Sequence, residues 1–262
     1  DFLVGISLDG PAACNDHFRV DAAGRPTGAR VETAIRLLQD HQVAFNVLCV
    51  VHAENAREPL TIYRHLKSLG ATHLQFIPVV ERFAEGERLA GPPQRDPAGS
   101  SYPVTPWSVD PADYGDFLCA VFDEWHREDV GRIFVQFFDV QLGLWMGLPS
   151  TLCIFAKTCG RGLALEHNGD LYACDHFVYP DYLRGNITRT PLAGLARSDE
   201  QQLFGRAKAT SLPGQCRRCP YLFACNGGCP KHRFATSEDG EPGLDYLCAA
   251  HRRFFAHAEP RL

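Results

Sequence analysis

Eight of the chain's eleven cysteines fall after position 150: Cys153, Cys159, Cys174, Cys216, Cys219, Cys225, Cys229 and Cys248. A thiolate is a soft, anionic ligand suited to iron–sulfur clusters or zinc, and either takes about four such donors per site. Eight thiols therefore make two complete sites. Cys216 and Cys219 stand two residues apart, a spacing at which two sulfurs on a tight turn can face one ion. Cys225 and Cys229 enclose Asn226-Gly227-Gly228, and those glycines let backbone N–H groups approach a cluster without side-chain obstruction. Pro220 and Pro230 each follow a ligand candidate directly and stiffen the exits. The ordinary alternative is a set of buried structural thiols, and Cys14, Cys49 and Cys119 read that way. For the other eight, density, glycines and spacing coincide and favour metal ligation. On spacing alone, zinc and iron–sulfur both stay open.

The rest of the composition narrows the class. The chain has 262 residues, 45% hydrophobic and 22% charged, enough for one large domain or two modest ones with no need of disulfide staples. An odd number of cysteines without a secretory signal argues against a disulfide framework and for a reducing, cytoplasmic setting. Lys and Arg number 26 against 31 Asp and Glu, a net charge of −5, so no nucleic-acid partner is expected. No apolar run is long enough to span a membrane. The opening Asp1 to Asp9 has no basic leader region and reads as a chain starting inside a strand.

Several elements must position the thiols and any second site. Leu3–Leu8 is a short strand ending in Asp9-Gly10-Pro11. Val31, Ala34, Ile35 and Leu38 give Arg30–Gln42 helical spacing, and Val43–Val51 has a buried-strand composition. A helix starts at Glu58-Pro59 and stops at Gly70, and His73–Val79 is a third strand. This alternation implies a parallel sheet covered by helices, with its ligand site at the carboxyl ends of the strands. Three strands cannot close a barrel, so the sheet reads as part of a larger one. Residues 85–106 form a Gly- and Pro-rich loop, and Ser108–Glu128 reads as a helix. Ile133–Phe138 is a further strand and Val140–Met146 a short helix. Beyond Thr151, Leu163–Glu166 and Leu171–Cys174 flank an Asn168-Gly169 hairpin turn.

The order and spacing of the eight cysteines resemble the SPASM domain of radical S-adenosylmethionine enzymes. Within that group the chain is similar to the anaerobic sulfatase-maturating enzymes. The likeness rests on I-S-L-D-G-P (Ile6 to Pro11), N-D-x-x-R (Asn15 to Arg19), F-N-V-L-C-V-V (Phe45 to Val51), Q-F-I-P (Gln75 to Pro78) and C-D-H-F-V (Cys174 to Val178). It spans nearly the whole chain apart from the loop after Glu85. The resemblance implies an α/β fold: residues 1–150 as the C-terminal half of a partial (β/α)6 barrel, and residues 151–262 as a SPASM domain with a β-hairpin and short helices. It also implies two auxiliary 4Fe–4S clusters, one on Cys153, Cys159, Cys174 and Cys229, the other on Cys216, Cys219, Cys225 and Cys248. Spacing alone does not give that pairing.

The resemblance further implies that Asp175 accepts a proton from the substrate. A buried carboxylate beside Cys174 would have its pKa raised toward the range useful to a general base, although a solvated or capping Asp is the common role for such a residue. His176 reads as supporting or structural. Ser7 and Arg19 match positions that contact S-adenosylmethionine in the family, and Val80 one that packs by the nucleoside. A guanidinium suits the methionyl carboxylate, and a hydroxyl at a strand end suits a polar ligand atom. Asp9, Gln75 and Glu81 also point toward the strand ends and receive no role.

Two family features are absent from these residues: the C-x3-C-x2-C motif of the catalytic cluster and a Gly-Gly-Glu segment. The expectation is an N-terminally truncated chain lacking ~90 residues, at roughly 30 per βα unit, and unable to cleave S-adenosylmethionine by itself. The complete enzyme would bind S-adenosylmethionine and a third 4Fe–4S cluster. It would oxidise a Cys or Ser of a sulfatase polypeptide to Cα-formylglycine through a 5′-deoxyadenosyl radical, with a flavodoxin or ferredoxin as electron donor, and act as a monomer. The alternatives are a related peptide cross-linking enzyme, a zinc-binding module without catalysis, and an electron-transfer fragment.

Overall fold

The computed structural model describes every residue except Asp1, Glu85, Glu87 and residues 97–100, so part of the expected 85–106 loop lies outside the described residues. The chain divides into two compact units: Asp1–Glu81 with Val104–Leu142 and Ala249–Leu262, and Arg82–Pro103 with Gly143–Cys248. Relative to a division at residue 150, residues 82–103 and 143–150 group with the second unit and Ala249–Leu262 with the first.

In the first unit the strands are β1 (Val4–Ser7), β2 (Phe45–Val51), β3 (His73–Pro78) and β4 (Phe134–Val135). They pair in parallel and in chain order, β1-β2-β3-β4, with Ser7 opposite Leu48 and Cys49 opposite Phe76. The interleaved helices are α1 (Ala12–Asn15), α2 (Gly28–Asp40), α3 (Pro59–Ser68), α4 (Pro111–Glu124) and α5 (Gln136–Trp145). Sequential parallel order with a helix in each crossover is the local pattern of a βα barrel. Local chemistry fixes the helix ends. Pro59 and Pro111 occupy first-turn positions, where a missing N–H costs nothing. The Asp110 carboxylate caps α4 by accepting the Ala112 N–H at 2.7 Å.

The fourth strand is shorter than its sequence suggests. Ile133–Phe138 reads as a strand, but pairing with β3 is confined to Phe134 and Val135, and Gln136 begins α5. Packing overrides β-propensity here. On a helix, Phe138 stacks on Phe254 at 5.5 Å and meets Phe122 edge-on at 5.3 Å, in a core that also holds Phe137 and Trp125.

The second unit contains the antiparallel sheet β5 (Ala164–Leu165), β6 (Asp170–Tyr172) and β7 (Leu183–Asn186), and the β8 (Ala235–Thr236) and β9 (Pro242–Leu244) pair. The expected hairpin is β5–β6. Its turn uses Gly169 at φ +88°, while Asn168 Oδ1 accepts the Asp170 N–H at 3.0 Å. Short helices follow: α6 (Leu192–Ala196), α7 (Asp199–Thr210), α8 (Gly214–Arg217) and α9 (Leu222–Cys225), and α10 (Cys248–Ala258) begins at the last cysteine. Ser198 caps α7 through the Gln201 N–H at 3.3 Å. Among the described residues, no helix is long and apolar enough to cross a membrane.

Candidate functional site

The cysteine-rich segments have little regular structure of their own, and α7 organises the first of them. Gln201, Gly205 and Lys208 lie at i, i+4 and i+7, so they share one helix face, and all three are buried. Gln201 Nε2 donates to the carbonyls of Gly160 (2.7 Å) and Ala173 (2.9 Å), tying the Cys159 loop to the strand before Cys174. Cys159 N–H donates to the Gly205 carbonyl at 3.2 Å. A Cβ on Gly205 would lie 2.5 Å from the Cys159 carbonyl oxygen, so only glycine permits this approach. Lys208 is 1% exposed, and its Nζ donates to the carbonyls of Cys153 (2.6 Å), Ile154 (2.8 Å) and Ala156 (2.5 Å).

The Cys225–Cys229 loop meets the same region. Asn226 Nδ2 donates to the Phe155 carbonyl at 2.8 Å. Gly227 and Gly228 have φ of +70° and +60°, and a Cβ on Gly228 would overlap the carboxylate of buried Asp245. Arg233, also buried, donates from Nε to the Gly227 carbonyl (2.8 Å), from Nη2 to that of Asn226 (3.1 Å) and from Nη1 to that of Lys208 (2.7 Å). His176 Nδ1 lies 3.4 Å from Cys229 Sγ, which places Cys229 against the Cys174–Phe177 turn.

Burial and neighbouring charge raise the pKa values of the thiols. Burial, then the Asp175 hydrogen bond, raises the Cys174 pKa strongly, and charge at Cys229 adds to it. Burial pushes Cys229 up to about 12, with Asp245 and Cys153 adding. Burial and then Cys153 raise Cys159. Separately, burial and then Cys219 raise Cys216, while burial, Asp245, Cys248 and Cys216 raise Cys225. Asp245 adds to the rise at Cys216, Cys225 and Cys229 alike. Thiolates gathered in a poorly solvated region oppose their own ionisation unless a cationic centre offsets the charge, which is the donor chemistry a metal cluster needs. Among the described residues, no three or more His, Cys, Asp or Glu side chains converge as a single-ion site. The thiols are spread more widely than the ligands of one ion.

Asp175 differs from the sequence expectation of a buried carboxylate with a raised pKa. Its side chain is exposed. Partial burial pulls its pKa up, but hydrogen bonding with the Cys174 thiol (3.0 Å) and the nearby His176 outweigh that and leave it below the usual carboxylate value. A deprotonated Cys174 has no hydrogen to donate, so this contact belongs to the thiol form.

In the first unit, Ser7 ends β1 and is exposed, whereas Val80 follows β3 and is buried. Arg19 is drawn to the same ends of the sheet by Asp9, whose carboxylate accepts Arg19 Nε at 2.6 Å, Arg19 Nη2 at 3.0 Å and the Val50 N–H at 2.8 Å. Sequence reasoning gave Asp9 no role, and its 3% exposure marks it as the residue that orients Arg19. It also missed Lys208, Gln201 and Arg233. The available signal was the i, i+4, i+7 spacing of Gln201, Gly205 and Lys208, which resembles a solvated face.

Residues 153–220 match the family model of the SPASM iron–sulfur cluster-binding domain, which includes the first five of the eight cysteines. The chain is 43% identical to the serine-type anaerobic sulfatase-maturating enzyme of Bacteroides thetaiotaomicron over 99% of its own length and 63% of that protein's. It is 31% identical to the cysteine-type enzyme of Clostridium perfringens, over 100% of this chain and 66% of the relative. The solved structure of native anSMEcpe with bound AdoMet and the Kp18Cys peptide matches with a TM-score of 0.82 at 30% identity, over 99% of this chain and 68% of that one. The chain belongs to the anaerobic sulfatase-maturating enzymes. It spans between 57% and 66% of the length of the curated maturases it matches. The α/β fold with a parallel sheet and a SPASM segment is that of the maturase structure.

Proposed function

We propose that the protein to which this chain contributes oxidises a Cys or Ser in a sulfatase polypeptide to Cα-formylglycine, using S-adenosylmethionine. The observation that carries this reading is the 0.82 match to a maturase structure holding AdoMet and a peptide. In this reading, residues 1–150 would belong to the barrel and residues 151–262 to the SPASM domain. S-adenosylmethionine and the iron–sulfur clusters, a third one included, would supply hydrogen-atom abstraction and one-electron oxidation when bound.

The chain's own residues have separable tasks. Cys153, Cys159, Cys174 and Cys229 would hold one 4Fe–4S cluster, and Cys216, Cys219, Cys225 and Cys248 the other. Gly227 and Gly228 take left-handed backbone where a Cβ would run into Leu212 and Asp245, so the turn that brings in Cys229 needs glycine. Ser7 would hydrogen-bond the cofactor, Arg19 would pair with its carboxylate while Asp9 fixes the guanidinium, and Val80 would pack against its nucleoside. The target loses a hydrogen atom from Cβ, a proton from sulfur or oxygen, and one electron; this takes Ser directly to the aldehyde, whereas Cys gives a thioaldehyde that water hydrolyses to the aldehyde with release of hydrogen sulfide. Asp175 would take the proton, and its exposure leaves it accessible to the substrate. The substrate is a sulfatase segment, and a flavodoxin or ferredoxin would deliver electrons.

The test is anaerobic incubation of the complete protein with S-adenosylmethionine, a reductant and a sulfatase-derived peptide, read by product mass. Formylglycine is expected, together with iron and sulfide in the purified protein. The Asp175→Asn variant should lose most turnover while keeping its auxiliary clusters. A cross-linked product, zinc in place of iron, or unchanged turnover in Asp175→Asn would each contradict the corresponding part.

A further inference from the structure

The buried face of α7 carries a charge that the proposed chemistry does not use. Lys208 is almost fully enclosed, and its three hydrogen bonds all go to main-chain carbonyls of the Cys153–Ala156 segment. A neutral amine has only two hydrogens to give, so three simultaneous donations require the ammonium form. Arg233 lies close by, donating to the Lys208 carbonyl itself. Two cations are thus enclosed beside the thiols.

We infer that Lys208 is a positioning residue for the first cysteine set: its ammonium fixes the loop that carries Cys153 and raises the reduction potential of the cluster held by Cys153, Cys159, Cys174 and Cys229. This rests on the cluster assignment proposed above. The direction follows from electrostatics. Reduction adds negative charge, a nearby buried cation stabilises the reduced state more than the oxidised one, and low local polarity keeps the effect from being screened. The effect is selective because the Lys208 ammonium binds the segment that carries Cys153, and the same helix face accepts the Cys159 N–H at Gly205, so its contacts run to the first set. The structure accepts the cost of enclosing this ammonium because the carbonyl cage and the adjacent anionic donors offset it.

The test is a redox titration monitored by electron paramagnetic resonance on the complete, cluster-loaded protein, comparing wild type with Lys208→Gln and Lys208→Arg. In Lys208→Gln the midpoint potential of one cluster should move to more negative values while the others stay in place, and Lys208→Arg should retain the wild-type potential. Unchanged potentials in Lys208→Gln, or an equal shift of every cluster, would overturn the inference. Should Lys208→Gln fail to hold the first cluster, Lys208→Arg decides: recovery of that cluster at its normal potential supports a requirement for charge, and its loss from both variants overturns it. A wild type without auxiliary clusters would instead remove the cluster assignment itself, so the two failures are distinguishable.

Discussion

His176 Nδ1 sits 3.4 Å from Cys229 Sγ, joining the turn after the β5–β6 hairpin to the loop after α9 across 53 residues of chain. That contact makes Cys229 a neighbour of Cys174 although it is far nearer in sequence to Cys225. It depends on the glycines before Cys229, whose backbone turns the chain back.

Gly228→Ala should therefore do more harm than an ordinary glycine substitution. The added methyl would collide with Asp245 at a backbone conformation that disfavours any Cβ. Asp245 is boxed in, its carboxyl pushed up to about 7 by burial, so it has little room to move. The expected result is loss of at least about 2 kcal/mol of stability, read by urea unfolding, with reduced iron incorporation. A variant with wild-type iron content and an unchanged unfolding midpoint would show that the turn tolerates a side chain.

Asp9→Ala tests the first unit. Removing the carboxylate strands the Arg19 guanidinium and the Val50 N–H together. Arg19 is about a quarter exposed, so the cost should fall near the lower end for a broken buried pair, about 3 kcal/mol by denaturant unfolding. Binding of S-adenosylmethionine by the complete protein should weaken as well. A loss below about 0.5 kcal/mol would put Arg19's orientation under other control.

The parallel sheet was legible from the sequence because its signals are local. Apolar runs mark β2 and β3, Pro59 and Gly70 bracket α3, and Asn168-Gly169 sets the hairpin. The order and spacing of the cysteines likewise pointed to the SPASM domain, whose family model matches residues 153–220. What stayed hidden depends on tertiary context. Gln136–Phe138 join a helix because Phe138 finds Phe122 and Phe254, which no short window contains. Lys208 and Gln201 look like solvent-facing residues until the loops they hold are folded against them. Asp175 shows the opposite error, since adjacency to a cysteine suggested burial that the turn does not provide.

His251 gives the first unit a pH dependence. It is buried near Phe137 and Phe255, and burial lowers its pKa to about 4. The unfolded chain binds the proton near pH 6.5 and the folded chain only near 4, so the unfolded state carries more protons between those values. Stability is complete above about pH 6.5 and falls as the pH drops toward 4, by ~3 kcal/mol for this group. His52, also lowered by burial, acts in the same direction. Urea midpoints near pH 7 and near pH 5 should differ in wild type, and by less in His251→Leu. Equal pH dependence in both proteins would contradict the assignment to His251.

The interleaving of the two cysteine sets is best tested by counting iron and acid-labile sulfide in paired variants of the anaerobically loaded protein. If Cys229 shares a cluster with Cys174, the double variant Cys174→Ala/Cys229→Ala loses one cluster, about four irons, whereas Cys225→Ala/Cys229→Ala loses two, about eight. The reverse pattern, with Cys225→Ala/Cys229→Ala losing about four irons and Cys174→Ala/Cys229→Ala about eight, would mean that Cys229 serves with its sequence neighbours and would contradict the account.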